Sequence, residues 1–242
     1  MVIACGALAA PVREVVRRRG WAVSLHALPA LLHNRPAGIA AEVERLAVAA
    51  RARGLPVAVG YADCGTYGAL DEVCARLGLR RLPGLHCYDL LAGPSVVAGL
   101  FEAEPGTYLL TDFLVRSFRR TVLAELGLDR YPQLWPDYFG HYRRVVWLAQ
   151  SRDPALESEA REVAALFGLP LTVVETGTGR LERELEALLC GASESAPEAP
   201  GPGRTPHARP GRRESWPPAV APQPPRPATR RMTAVTPRTT HR

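Results

Sequence analysis

Short apolar runs alternate along this chain with longer stretches in which apolar residues recur at helical spacing. The runs predict strands at 2–5, 21–27, 57–61, 82–89, 107–113, 145–149 and 171–174. Between them, periodic stretches predict helices over 11–19 and 38–53, a helix carrying Leu70, Val73, Cys74 and Leu77, and a short one opening at Pro94 and ending near Glu104. A long amphipathic helix follows with Leu114, Phe118, Val122 and Leu126 on one face. The last two helices open at Asp153-Pro154 and after Arg180. Gly20, Gly54, Gly127 and Gly168 each stand where a periodic stretch stops, as helix C-termini require. Strands alternating with helices imply an α/β fold with a mainly parallel sheet and helices on both faces.

The pattern ends abruptly near residue 190. From 191 to 242 Pro and Arg dominate and no apolar periodicity remains. Such a segment buries too little apolar surface to offset the entropy of ordering it. The expected organisation is therefore an α/β domain over 1–190 and a disordered Pro/Arg-rich tail over 191–242.

Charge follows the same division. The formal net charge is +6, yet nine arginines and three glutamates beyond residue 190 account for all of it. The body is neutral, which argues against a nucleic-acid-binding domain and leaves that role open only for the tail. No lysine occurs anywhere, which removes Schiff-base chemistry and the P-loop lysine. No apolar run reaches the length of a membrane span, and Val2-Ile-Ala-Cys5 lacks the charged and apolar regions that a lipoprotein signal would need. Five cysteines, an odd number, suit a reducing cytoplasm better than a disulfide framework.

Three of these cysteines stand at predicted strand ends. Cys5 closes the first apolar run, Cys64 lies in the Gly-bearing turn after 57–61, and Cys87 lies in the run 82–89. Parallel strands would bring those ends to one carboxyl edge, where open α/β sheets bind ligands. Three thiolates suit a tetrahedral zinc site with one open position. Alternatively, two thiols facing one pocket serve as acid and base on a small amino or keto acid, as in a cofactor-independent racemase. Small residues packed at strand ends are the plain structural alternative. In a regular strand His86 and Cys87 would face opposite sides, so at most one would reach a given site.

Carboxylates accompany the cysteines. Asp63 precedes Cys64, Asp89 follows the His-Cys pair, and Glu104 and Asp112 flank Pro-Gly-Thr-Tyr-Leu-Leu-Thr. Asp63, His86 and Glu104 are the candidates for proton relay or for orienting a ligand; Asp112 is equally explained as a helix-start residue. Cys74, on the inner face of its helix, is expected in the core. The loop 28–36, with His33 and Asn34 among apolar residues, either lines a pocket or only builds a turn. The aromatic stretch 130–142 is either a cap or a helix pair packed on the sheet. Gly177 and Gly179, in Gly-Thr-Gly before the last helix, are candidates to hold an anion on free amides. No nucleophile elbow, HExxH or P-loop is present.

The segments Ala4-Cys-Gly-Ala-Leu8, Leu32-His-Asn34, Gly60-Tyr-Ala-Asp-Cys-Gly-Thr66, Leu82-Pro-Gly-Leu-His-Cys-Tyr88, Glu104-Pro-Gly-Thr-Tyr-Leu-Leu-Thr-Asp-Phe113 and Tyr138-Phe-Gly-His-Tyr142 resemble a prokaryotic family known as domain of unknown function 1638. The resemblance covers the body to about Leu189 and leaves the tail without a counterpart. It supplies no mechanism. Some members lie near corrinoid-dependent methyl-transfer systems, which implies one-carbon metabolism and a corrinoid-system protein as partner.

Residues and resemblance together give one leading expectation: a cytosolic metalloprotein with a Cys-rich zinc site formed by Cys5, Cys64 and Cys87. There the ion would act as a Lewis acid on a thiol or corrinoid-linked group. The alternatives are a metal-free thiol acid/base enzyme acting on a small molecule and a non-catalytic ligand-binding accessory protein.

Overall fold

The computed structural model describes residues 1–192. The tail expected over 191–242 lies outside the described residues from Ser193 onward, and the last helix extends to Ala192.

Among the described residues six parallel strands form two three-stranded sheets rather than one. The first sheet contains β1 (Val2–Ala4), β2 (Leu25–Ala27) and β3 (Ala58–Gly60) in the order β2-β1-β3. Helix α1 (Ala9–Arg19) carries the chain from β1 to β2, and α2 (Ala37–Arg51) carries it from β2 to β3. Winding therefore runs outward from β1 to one side and then returns past it to the other. That reversal leaves a crevice between the carboxyl ends of β1 and β3, where a doubly wound sheet offers its ligand site.

Beyond β3, helix α3 (Ala69–Leu77) leads to a single parallel bridge between Arg81 and Val59. The strand expected over 82–89 does not form. Pro83 has no amide to give a ladder, and Gly84 takes φ 96°. The Asp89 carboxylate accepts the Leu85 and His86 amides at 2.8 and 3.3 Å and so starts helix α4 (Cys87–Leu91). The expectation that His86 and Cys87 alternate across a strand is corrected accordingly: His86 caps α4 and Cys87 is its first residue.

Helix α5 (Pro94–Ala103) leads into the second sheet, with β4 (Thr107–Thr111), β5 (Arg144–Ala149) and β6 (Leu171–Glu175) in the order β4-β5-β6. Helix α6 (Asp112–Phe118) continues through a π-helical turn, Arg119–Leu123, where the Ser117 and Thr121 hydroxyls bond carbonyls one turn back. Side chains of β5 alternate between two cores, as strand geometry requires. Val145, Trp147 and Ala149 pack with α6 and α8 (Pro154–Phe167), while Val146 and Leu148 pack with Val97 of α5. The aromatic stretch forms short helical turns, including α7 (Trp135–Phe139), packed around Tyr108 and Phe167. Its role is thus the helix packing that was the plainer of the two expectations.

The chain closes by returning to its beginning. Leu181, Leu185 and Leu188 of α9 (Gly179–Ala192) are buried in the first sheet's core, with Val12 and Val15 of α1. Arg18 and Arg19 pair with Glu182, and Arg19 also pairs with Glu186, across these two helices.

Candidate functional site

Two cysteines follow the strands that flank this crevice, Cys5 after β1 and Cys64 after β3. Cys5, fully buried, leaves β1 as the cap of a 3-10 turn, Gly6–Leu8. Burial pushes its thiol up from an ordinary 9.0 to about 11, against a lowering by the Leu8 and Ala7 amides that donate towards the sulfur. A Cβ on Gly6 would stand 2.3 Å from the Leu28 carbonyl oxygen and 2.6 Å from the Ala30 nitrogen. Only glycine lets the loop after β2 lie down on this turn.

That loop delivers His33, on the 3-10 segment Ala30–Asn34. Both ring nitrogens of His33 are 3.7 Å from the Cys5 sulfur, and Nδ1 is 3.3 Å from the Ala30 carbonyl oxygen. A carbonyl only accepts, so that contact puts the proton on Nδ1 and leaves Nε2 to accept the Cys5 S–H. Burial lowers the His33 pKa and keeps the imidazole neutral. His33 also stacks on Tyr61, which follows β3 and is fully buried, with ring centroids 6.2 Å apart.

Cys64 occupies a left-handed backbone position, φ 52°, as does Tyr67 at φ 51°. Such positions cost roughly 1–3 kcal/mol for a residue with a side chain, and they persist only where surrounding structure enforces them. Asp63 enforces this one. Its carboxylate accepts the Thr66 hydroxyl at 2.6 Å and the Gly68 and Tyr67 amides at 3.0 and 3.1 Å. Burial raises the Asp63 pKa, but these donors outweigh it and hold the carboxyl below its ordinary value. The Asp63 and Cys64 amides donate to the Gly84 and Leu85 carbonyls at 3.1 and 2.8 Å, tying this turn to the start of α4.

Cys87 is thereby brought to the same place, and its amide donates towards the Cys64 sulfur. Burial, then the charges of Cys64 and Cys5, push the Cys87 thiol well up; burial, then Cys5, do the same to Cys64. Electrostatic coupling thus links Cys87 to Cys64 and Cys5, and Cys64 to Cys5, and all three thiols are held protonated. Among the described residues no group of three or more Cys, His, Asp or Glu side chains is placed to hold a metal ion. Sulfurs and an imidazole are ligand types that zinc takes.

The other candidates lie elsewhere. His86 Nδ1 is 3.6 Å from Asp89 Oδ2 at the start of α4. Glu104 lies before β4, at the amino end of its sheet, where its carboxylate accepts the Gly106 amide at 2.8 Å. Gly177 precedes α9, but its amide already donates to the Ala149 carbonyl at 3.2 Å, so it is not free for an anion. Gly179 begins that helix, whose first turn carries Glu182. Cys74 is buried in the core as expected. Asp112 is more than a helix start: buried, it accepts Trp147 Nε1 and the Gln150 amide at 3.0 Å each and the Ser151 hydroxyl at 2.8 Å.

Sequence reasoning left His33 undecided and did not weigh Tyr61 at all. The available signal was the polar His in an apolar loop directly after the second strand. Nothing in the sequence marked Tyr61 apart from an ordinary strand-end aromatic. On the outer side of the His33 loop, Leu31, Leu32 and Arg35 line an open cavity of about 600 Å³ together with Glu42, Arg45 and Glu125.

The fold is an α/β protein of parallel strands, with buried Cys5 and Cys64 and half-buried Cys87 near the switch point of its first sheet. The chain belongs to the family described as "Protein of unknown function (DUF1638)", whose family model matches residues 27–185. No curated protein and no solved structure matches it. Among the described residues no helix is long and apolar enough to cross a membrane.

Proposed function

We propose that this protein is a cytoplasmic thiol acid/base enzyme that moves a proton on a small carbon acid, with Cys5 and His33 as its base and Cys64 as its acid. The observation that carries this reading is the contact between the Cys5 sulfur and the neutral imidazole of His33, whose tautomer the Ala30 carbonyl sets. A nucleophile or base within reach of a second base, itself oriented by a third group, is the general arrangement for activating a weak thiol. The Leu8 and Ala7 amides favour the thiolate once it forms.

The proton count closes. Cys5 passes its proton to His33, and the thiolate then takes the substrate's α-proton. Cys64 delivers its own proton to the carbanion. His33 finally returns a proton to Cys64, which restores the resting site. Resting thiols that are protonated near neutrality suit such a cycle, because acid and base must start from opposite states only during turnover.

The test is deuterium incorporation from D₂O into the α-position of small amino acids, keto acids and hydroxyketones, read by mass spectrometry. Cys5→Ser should abolish incorporation and His33→Gln should lower it about 100-fold. Incorporation that survives Cys5→Ser, or that the wild type shows for none of these compounds, refutes the reading.

A second reading is the zinc site itself, favoured by the mutual coupling of three thiols beside an imidazole. It needs side chains to turn towards a common point. The one-carbon, corrinoid-linked setting belongs to this reading, where a bound ion would supply Lewis acidity. Elemental analysis of protein purified without a chelating tag decides between the two: stoichiometric zinc, lost in Cys64→Ser, would favour the metal.

A further inference from the structure

A buried hydroxyl in this site is left over. Tyr61 is fully buried, yet among the described residues its Oη makes no hydrogen bond of full geometry, and the Cys5 thiol acts on it only as a weak partner. Burial, then the Cys5 and Cys64 charges and a side-chain contact with the Cys5 thiol, push its pKa up, but that contact falls short of a full hydrogen bond and leaves the hydroxyl unsatisfied. Unpaired buried hydroxyls are rare because the lost hydration is not replaced. One aimed at a thiol cluster, with its ring held flat against His33, is placed for a partner that comes from outside.

The electrostatics say what kind of partner. Around Tyr61 stand protonated thiols and a neutral imidazole. The nearby carboxylate is Asp63, held ionised by the turn. Arg81, the cation that acts on Asp63, is engaged by the Asp71 carboxylate and by the Leu82 carbonyl. Among the described residues no cation acts on these thiols, the phenol or the imidazole, and with a carboxylate at the margin this disfavours an anionic head group. A phenol O–H is in turn a good donor to an uncharged carbonyl oxygen, and a better one as charge develops there.

We propose that Tyr61 Oη is the ligand-orienting donor of this site and that it takes the carbonyl oxygen of a small, neutral ketone or aldehyde. The inference deepens the thiol acid/base reading and narrows its substrate class. With the carbonyl held by Tyr61, loss of the α-proton to Cys5 places the electron pair on that oxygen, and reprotonation by Cys64 returns it to carbon.

Binding and turnover separate the two claims. Hydroxyacetone and acetate serve as probes, with thermal unfolding of the full chain as readout. Hydroxyacetone should raise the unfolding temperature of the wild type and of Cys5→Ser, but not of Tyr61→Phe, and acetate should raise none of them. Tyr61→Phe should itself unfold no more than about a degree earlier than the wild type, because the lost hydroxyl has only a weak thiol contact in the fold. Equal shifts with and without the hydroxyl, no shift in the wild type, or a fall of several degrees in Tyr61→Phe alone would each overturn the inference. Deuterium exchange that depends on Cys5 but not on Tyr61 leaves the thiol reading standing without it. Binding through Tyr61 without exchange does the reverse.

Discussion

Raising the pH should unfold this protein through its thiols. Cys5 has a folded pKa of about 11 against an ordinary 9.0. Below pH 9 the thiol is protonated in both states and its contribution to stability is fully present. As the pH rises the unfolded chain loses the proton first, so the folded state is progressively disfavoured until the folded pKa is passed. Two units are worth about 2.7 kcal/mol in full, of which about 1.3 kcal/mol is lost between pH 8 and 10. Cys64 and Cys87 shift in the same direction and steepen the loss. The assay is urea unfolding at pH 8, 9 and 10, where ionising tyrosines of the unfolded chain add to the loss in wild type and variant alike, with the slope m checked for constancy. Cys5→Ala will lower stability at every pH through its cavity, so the informative quantity is the loss between pH 8 and 10, which should be smaller than the wild type's by about 1.3 kcal/mol. Parallel slopes in the wild type and in Cys5→Ala, or a stability that rises from pH 8 to 10, would refute the placement of these thiols as buried and protonated.

Two further outcomes follow from single contacts. Gly6→Ala drives a methyl group into the Leu28 carbonyl and the Ala30 amide, so it should cost about 1–3 kcal/mol in urea unfolding and speed the alkylation of Cys5 by iodoacetamide as the His33 loop lifts; unchanged reactivity would mean that the loop does not guard the thiol. Asp112→Ala leaves Trp147 Nε1, the Gln150 amide and the Ser151 hydroxyl without their acceptor. It should cost about 3 kcal/mol or more, with a change in tryptophan fluorescence; a loss under 1 kcal/mol would show that solvent replaces the carboxylate.

Much of this architecture was legible in the sequence because its causes are local. Apolar runs bounded by glycine made β1, β3, β4, β5 and β6 visible, and the positions where Gly20, Gly127 and Gly168 stop helices are left-handed C-caps in the structure. The same reasoning brought Cys5 and Cys64 to one edge, since parallel neighbours share a carboxyl end. It failed at 82–89, where composition resembles a strand. There the Asp89 carboxylate, reaching back to two amides, turns the chain into a helix. Periodicity carries no information about such a side-chain cap.

What the sequence determined by itself is the inventory: alternating strands and helices, a neutral body, three cysteines each beside a turn, and no lysine to do other chemistry. The tertiary structure decided which of these meet. Division of the strands into two sheets depends on long-range pairing, and the return of α9 to α1 depends on a core shared between residues far apart in the chain. The site depends on close approach in the same way. Gly6 admits the loop, the loop brings His33 to Cys5, and the Asp63 turn holds Cys64 in a strained position near them. None of these distances is encoded in local propensity. They arise where backbone from separate segments packs closely enough that a single Cβ would be too much.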